Sequence, residues 1–239
     1  MDANEIQIEI KKVETSTKKE NVLNTIKVII QAVPYVGGSL GSLLDIYIPD
    51  FKQKRLHKLI QIMSGEIEHI KNNIKKNYIT TEEFAYYFEK SFKASIEEYN
   101  EKKIQFYIGF IVGNLNDLHK RTNDEKEFYL KIIATLTPLQ LKIMQFMNNP
   151  EKYFDYLKID KQGINDEMYG TSSSKMFELA FPQVDNNIIE KSYEELFRLG
   201  LTNNNSFKGL STINGFASIS GRLSQLGLGF INFCTNTVK

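Results

Sequence analysis

The chain has no tryptophan, one cysteine, three histidines and five prolines among its 239 residues. A single thiol, Cys234, cannot form an intramolecular disulfide, which excludes the disulfide-stapled secreted scaffolds and makes a reducing cytosol the expected compartment. His57, His69 and His119 have no paired ligand spacing, and neither HExxH nor CxxC occurs, so no metal site is expected. An excess of charge of one sign is also lacking: 30 basic residues stand against 29 acidic ones, for a net charge of +1. No global attraction to nucleic acid or anionic lipid follows from that balance. The opening MDANEIQIEIKK carries acids early and lacks an apolar core, so it reads as neither a secretory signal nor a transit peptide. The missing tryptophan and the bias toward Lys, Asn and Ile point to an AT-rich genome.

What the chain does contain is core material. Hydrophobic residues make up 41% and aromatic residues 12%, enough for packed globular structure. The expected organisation is a polar arm over 1–20, a helical bundle with a Pro/Gly hairpin over 21–120, and a winged-helix-like domain over 121–239. Leu56, Ile60, Met63, Ile67, Ile70 and Ile74 recur at fours and threes, the stripe of one helix. Thr80 followed by Glu83 is a capping-box pattern for a second helix, with Phe84, Phe88, Phe92, Ile96 and Tyr99 inward. A third is expected from Glu101 to Leu118, with Ile104, Ile108, Ile111, Leu115 and Leu118 inward.

Past Thr122-Asn-Asp-Glu a helix start precedes Phe128, Tyr129, Ile132 and Ile133. Thr137 reads as an N-cap with Pro138 at the first helical position, and Asn148-Asn149-Pro150 as the stop. A loop over 158–174, a short helix near 173–181 and a helix capped by Asp185 follow, with Ile188, Ile189, Tyr193, Leu196 and Phe197 along it. Gly200 is placed to end that helix in the left-handed conformation. Phe216, Ile219 and Leu223, set among Gly209, Gly215 and Gly221, then read as one or two short strands. Three helices followed by a strand pair is the order of a winged helix. The fold class expected is therefore mainly α, an N-terminal bundle plus a C-terminal winged-helix-like module with a short β wing.

A DNA-reading winged helix would present basic side chains on its third helix and wing. The candidate contact surface is Lys191, Arg198, Lys208 and Arg222, but Glu190, Glu194 and Glu195 share the helix, which disfavours a phosphate backbone. Contact with a protein partner or with another copy is the preferred reading, and a DNA-binding regulator is the alternative. No catalytic constellation or cofactor motif is found. Gly37-Gly38-Ser39-Leu40-Gly41-Ser42 lacks the lysine of a phosphate loop, and Cys234 among Phe230, Ile231 and Phe233 reads as a buried structural thiol. The chain is expected not to be an enzyme.

The stretch YIGFIVGNLNDLHKRTNDEKEFYLKIIATLTPLQLKIMQFM, with YEELFRLGLT and LSQLGLGFINFCT downstream, resembles a bacterial domain of unknown function, the abortive-infection alpha type. The shared features are Leu136-Thr137-Pro138 opening a helix, the Leu199-Gly200-Leu201 step, and Leu226, Gly227 and Phe230 near the end, over about residues 105–235. The resemblance implies an association with defence against phage and brings no reaction or catalytic residue. The N-terminal Pro-x-x-Gly-Gly hairpin departs from that pattern.

That hairpin is the most unusual stretch: 17 uncharged residues lie between Lys27 and Asp45, broken by Pro34, Gly37 and Gly38. The run is shorter than the roughly 20 apolar residues of a spanning helix, so two helices buried against protein are expected. Twelve basic against six acidic residues between 11 and 76 also suit peripheral contact with anionic lipid, through Lys27, Lys52, Lys54, Arg55 and Lys58. Liposome flotation separates the two. Burial gives no association with neutral or anionic vesicles; surface docking gives association with anionic vesicles only, lost when Lys52, Lys54, Arg55 and Lys58 are replaced by Gln. Retention after an alkaline carbonate wash would refute both.

Overall fold

The computed structural model describes residues 58–59, 62–63, 66–67, 70, 76–79, 81–116, 121–159, 173–208 and 215–235, and across them the protein is mainly α-helical. In chain order the helices are α1 (Lys76–Ile79), α2 (Glu82–Glu97), α3 (Glu101–Asn116), α4 (Asn123–Thr135), α5 (Pro138–Asn148), α6 (Pro150–Leu157), α7 (Ser173–Ala180), α8 (Asn186–Arg198), α9 (Gly215–Ser220) and α10 (Gln225–Thr235). The described residues from 58 to 70 are helical as well. Two compact units form: 1–134 together with 233–239, and 135–232. The 28–44 hairpin lies outside the described residues.

In the first unit the core is built on helix-spaced stripes. Leu59, Met63, Ile67 and Ile70 follow one another at four, four and three residues and are all buried, so Leu59 takes part in the stripe expected there. They share a cluster with Phe84, Phe88 and Phe92 of α2 and with Ile104, Ile108, Ile111 and Leu115 of α3. Each such side chain contributes about 1.5–3 kcal/mol on full burial. The cap of α2 is Thr81 rather than Thr80: its Oγ1 accepts from the Phe84 amide at 3.2 Å and donates to the Tyr78 carbonyl at 2.7 Å. Glu98 turns extended and ends α2, so Tyr99, expected inward, leaves the stripe and is 82% exposed. Leu118 lies outside the described residues.

Two glycines on α3 admit the last turn of α10. A Cβ on Gly109 would overlap the carbonyl oxygen of Cys234, and one on Gly113 would sit 2.5 Å from the carbonyl oxygen of Phe233. Gly109 and Gly113 are one turn apart and so form one notch. Phe233 then stacks edge-on to Phe110 at 5.5 Å and lies 5.6 Å from Tyr129.

The second unit is punctuated by caps. Thr137 and Gln140 form a capping box, with Pro138 in the first turn of α5. The expected stop at Asn148-Asn149-Pro150 is a junction: the Asn149 side chain accepts from the Lys152 amide at 3.0 Å and opens α6. Asp185 caps α8 through the Asn187 amide at 2.8 Å. Gly200, at φ +71, ends it with the Leu201 amide bonded to the Leu196 carbonyl and the Gly200 amide to the Phe197 carbonyl, a Schellman closure. The core is aromatic. Phe146 of α5 has its ring within 5.3–5.9 Å of Tyr153, Phe154, Phe177 and Phe181.

After Gly200 the structure departs from the strand expectation. Among the described residues there is no strand ladder, only an isolated antiparallel bridge between Thr202 and Leu223, so no wing is seen there. Gly215–Ser220 is the helix α9. The reason is in the spacing: Phe216, Ile219 and Leu223 stand at threes and fours, which is a helix stripe and not a two-residue alternation. The final apolar run is the helix α10, whose Gly227 lets it cross the Leu201 carbonyl closely enough that a Cβ would overlap that oxygen.

Gly109→Ala is expected to destabilise the protein by about 3 kcal/mol or more, since backbone stands where the methyl would go; the gain in helix propensity of about 1 kcal/mol does not offset it. Chemical denaturation of the purified variant measures this, and a change under 1 kcal/mol, on the order of a surface substitution, would show that the notch is not required.

Candidate functional site

The residues singled out in the sequence divide into two groups. Lys27, Pro34, Gly37, Gly38, Lys52, Lys54 and Arg55 lie outside the described residues. Lys58 is described: it is exposed and ion-paired with Glu101 of α3.

The second group lies in the C-terminal unit. On α8, Ile189, Ser192, Tyr193 and Leu196 are buried, so the opposite side carries Lys191, Glu194 and Arg198 outward. Lys191 Nζ pairs with Glu194 Oε2 at 2.9 Å. The bond and charge of Lys191, with a smaller contribution from Arg198, hold the Glu194 carboxyl below its usual value. Lys208 pairs with Glu190 at 3.0 Å. Arg198 is exposed. Arg222, expected on the contact surface, is instead 5% exposed. Its placement follows from the helical reading of 215–223: Arg222 sits at the end of the α9 turn, its amide bonded to the Ile219 carbonyl at 3.2 Å. The outward face of α8 thus carries the Lys191–Glu194 pair beside the exposed Arg198, with Glu190 of the same helix paired to Lys208. It is flanked by exposed apolar side chains, Ile188 at 56% and Phe197 at 38%.

The sequence reading passed over a buried charge in the first unit. Lys126 of α4 is 4% exposed. Its Nζ donates to Glu83 Oε1 at 2.5 Å and to Tyr78 Oη at 3.0 Å, and stands 5.1 Å and 5.7 Å from the ring centroids of Tyr78 and Tyr87. Tyr78 Oη in turn donates to Glu83 at 3.0 Å. The ammonium is therefore held by one carboxylate and two aromatic faces. Partial burial raises the affinity of Glu83 for its proton, but the bonds from Lys126 and Tyr78 and the charge of Lys126 outweigh it, so its pKa is lowered from 4.5. Burial, helped by the charges of Glu127 and Glu83, pushes the Tyr87 phenol up to about 12. A signal was available, because Lys126 stands three, four and seven residues before Tyr129, Leu130 and Ile133, on the buried stripe of α4.

A cleft of about 570 Å³ in the same unit is bordered by Lys90, Tyr107, Glu127, Phe128 and Lys131. Part of its polar rim is engaged internally: Lys90 Nζ bonds Glu127 at 3.0 Å and Tyr86 at 3.0 Å. Cys234 is buried, and desolvation raises its thiol well above the ordinary range, the opposite of what a nucleophile needs. Among the described residues no cluster of three His, Cys, Asp or Glu could hold a metal, and no helix is long and apolar enough to cross a membrane. Comparison with protein families, with curated proteins and with solved structures finds no match to this chain.

Because the Glu83 pKa is depressed in the folded state, its contribution is fully present above the unfolded value near 4.5 and is lost as pH falls through the folded value. Glu83→Gln should cost roughly 2 kcal/mol near neutral pH, less than a fully buried pair because Glu83 is about a third exposed. Urea denaturation of both proteins from about pH 7 to pH 3 is expected to show the difference shrinking toward the acid end. A pH-independent difference would refute the ion-pair account.

Proposed function

We propose that the protein is a non-enzymatic interaction protein whose C-terminal unit, 135–232, contacts a protein partner. The observation that carries this reading is the outward face of α8. A surface that follows a phosphate backbone needs unpaired lysines and arginines. Here Lys191 is paired with Glu194, Lys208 with Glu190, and Arg222 is buried, which leaves Arg198 as the one exposed basic residue of the four without an ion pair. A face of balanced charge with apolar flanks, as Ile188 and Phe197 provide, suits a protein surface, where mispaired charges exclude wrong partners and apolar side chains supply affinity. The association with phage defence rests on the likeness of Leu136-Thr137-Pro138, Leu199-Gly200-Leu201 and Leu226-Gly227 to the abortive-infection alpha type, and on nothing else.

The competing reading, a winged-helix DNA-binding regulator, is tested by fluorescence anisotropy with duplex DNA at two salt concentrations. The expected result is at most weak binding, in the range of about 10⁻⁴–10⁻⁶ M typical of non-specific contacts. A nanomolar affinity that falls steeply with salt, and weakens on Arg198→Ala, would replace the interaction reading. Sedimentation velocity over a concentration series tests another copy as the partner: association weakened by Ile188→Glu and Phe197→Glu identifies this face as the contact.

A further inference from the structure

The cleft of about 570 Å³ in the first unit is built from three helices: α2 contributes Lys90 and Ala94, α3 contributes Tyr107, and α4 contributes the residues between Asp124 and Ala134 that face it. On α4, Asp124, Phe128 and Lys131 follow at four and three residues and so share one side of the helix. The volume falls within the roughly 300–1,000 Å³ of sites that enclose a small molecule. Its lining is chiefly apolar, and Phe128 is one of the large apolar side chains that stay exposed, at 37%.

Four charged side chains border the cleft, and three of them are already compensated. Lys90 and Glu127 pair at 3.0 Å, and Lys90 also bonds Tyr86. Asp124 lies in the first turn of α4, where the partial positive charge of the helix end favours a carboxylate. Lys131 has neither an ion pair nor a hydrogen bond among the described residues. Tyr107 is the second unengaged group. Its side chain is 5% exposed, and Oη has no hydrogen bond among the described residues, yet Oη is not one of the sealed polar atoms that lack a partner. It therefore keeps access to open space, and the cleft is the space that Tyr107 lines. Burial, helped by the charge of Glu98, raises the phenol above its ordinary pKa, so it stays an O–H donor. Groups buried to this degree nearly always have a hydrogen-bond partner.

We propose that this cleft binds a small monocarboxylate with an apolar body, the carboxylate taken by the Tyr107 hydroxyl and the Lys131 ammonium and the body by Ala94, Phe128 and Leu130. Two unengaged donors, one of them cationic, call for an anionic acceptor, and a carboxylate has lone pairs for both. An alcohol would satisfy Tyr107 and leave Lys131 unpaired. An amine would be repelled by Lys131 and would find Glu127 already paired. A phosphate ester carries nearly twice the charge and would meet Asp124 and Glu127 on the same rim. The site lies wholly within the first unit and is independent of the partner contact assigned to α8.

The test is saturation-transfer NMR on the full chain with three probes of one shape, phenylbutyrate, phenylbutanol and phenylbutylamine, at constant ionic strength. Phenylbutyrate is expected to bind saturably with a Kd on the order of 1 mM, the scale that about 0.3 kcal/mol per non-hydrogen atom gives for a ligand of this size. The alcohol should bind about tenfold more weakly and the amine without saturation, as loss of a charge-assisted hydrogen bond predicts. Tyr107→Phe and Lys131→Met should each weaken phenylbutyrate by about tenfold, and Lys131→Met should leave the alcohol unchanged. Neither polar end bonds another described residue, so both variants should keep the Tm of the unaltered protein, which separates a lost ligand contact from a lost fold. The proposal is overturned by absence of saturable phenylbutyrate binding, by equal affinity for the alcohol or the amine, or by a phenylbutyrate affinity that either variant leaves unchanged.

Discussion

The close approach of α10 to α3 is the constraint on which the first unit rests. Helix axes ordinarily stand about 8–10 Å apart because side chains separate them. At Gly109 and Gly113 there are none, and the backbone of Phe233 and Cys234 occupies the space where side chains would project. The ring of Phe233 is thereby set against Phe110 and Tyr129, and the Cys234 thiol is sealed from solvent. Small residues at these two positions are thus a requirement of geometry; chemistry enters only through what the notch admits.

The two units bury a positive charge by different means. Lys126 has a carboxylate, a phenol and two aromatic faces around it, so its desolvation is met by an opposite charge in the same unit. Arg222 has one aromatic face and three neutral oxygens. A guanidinium, more weakly hydrated than an ammonium, tolerates carbonyl and hydroxyl acceptors better, and three hydrogen bonds from Nη1 and Nη2 tie Ser173, Tyr193 and Ser206 to one point. That junction joins the start of α7, the middle of α8 and the loop after Gly200.

Local signals were legible where one residue determines the backbone. Thr137 with Pro138, Asp185 and Gly200 each act through their own hydrogen bonds or φ angle, so the sequence carries their effect without help from tertiary contacts. The stripe through Met63, Ile67 and Ile70 was legible for the same reason. What could not be read locally was the fate of glycines. Gly109 and Gly113 look like helix weaknesses until the Cys234 backbone is placed against them, while Gly215 and Gly221 look like strand breaks although they bracket a helical turn. The buried basic residues were hidden by composition: Lys126 lies in a run of charged residues, and only its register relative to Tyr129 and Ile133 distinguishes it. Arg222 follows a helical turn whose glycines give it the look of a strand end, and a strand would place it at the surface.

The glycine notch also sets an order of events in biosynthesis. Phe233 and Cys234 are buried in a unit whose described core residues begin at Leu59. While the ribosome is still translating the residues between, α3 has been made but presents an empty groove and an uncovered Phe110. The unit that contains Leu59 therefore closes only after Phe233 and Cys234 have been made, and the apolar groove stays open to chaperones, or to the wrong helix, until the segment with Phe233 emerges.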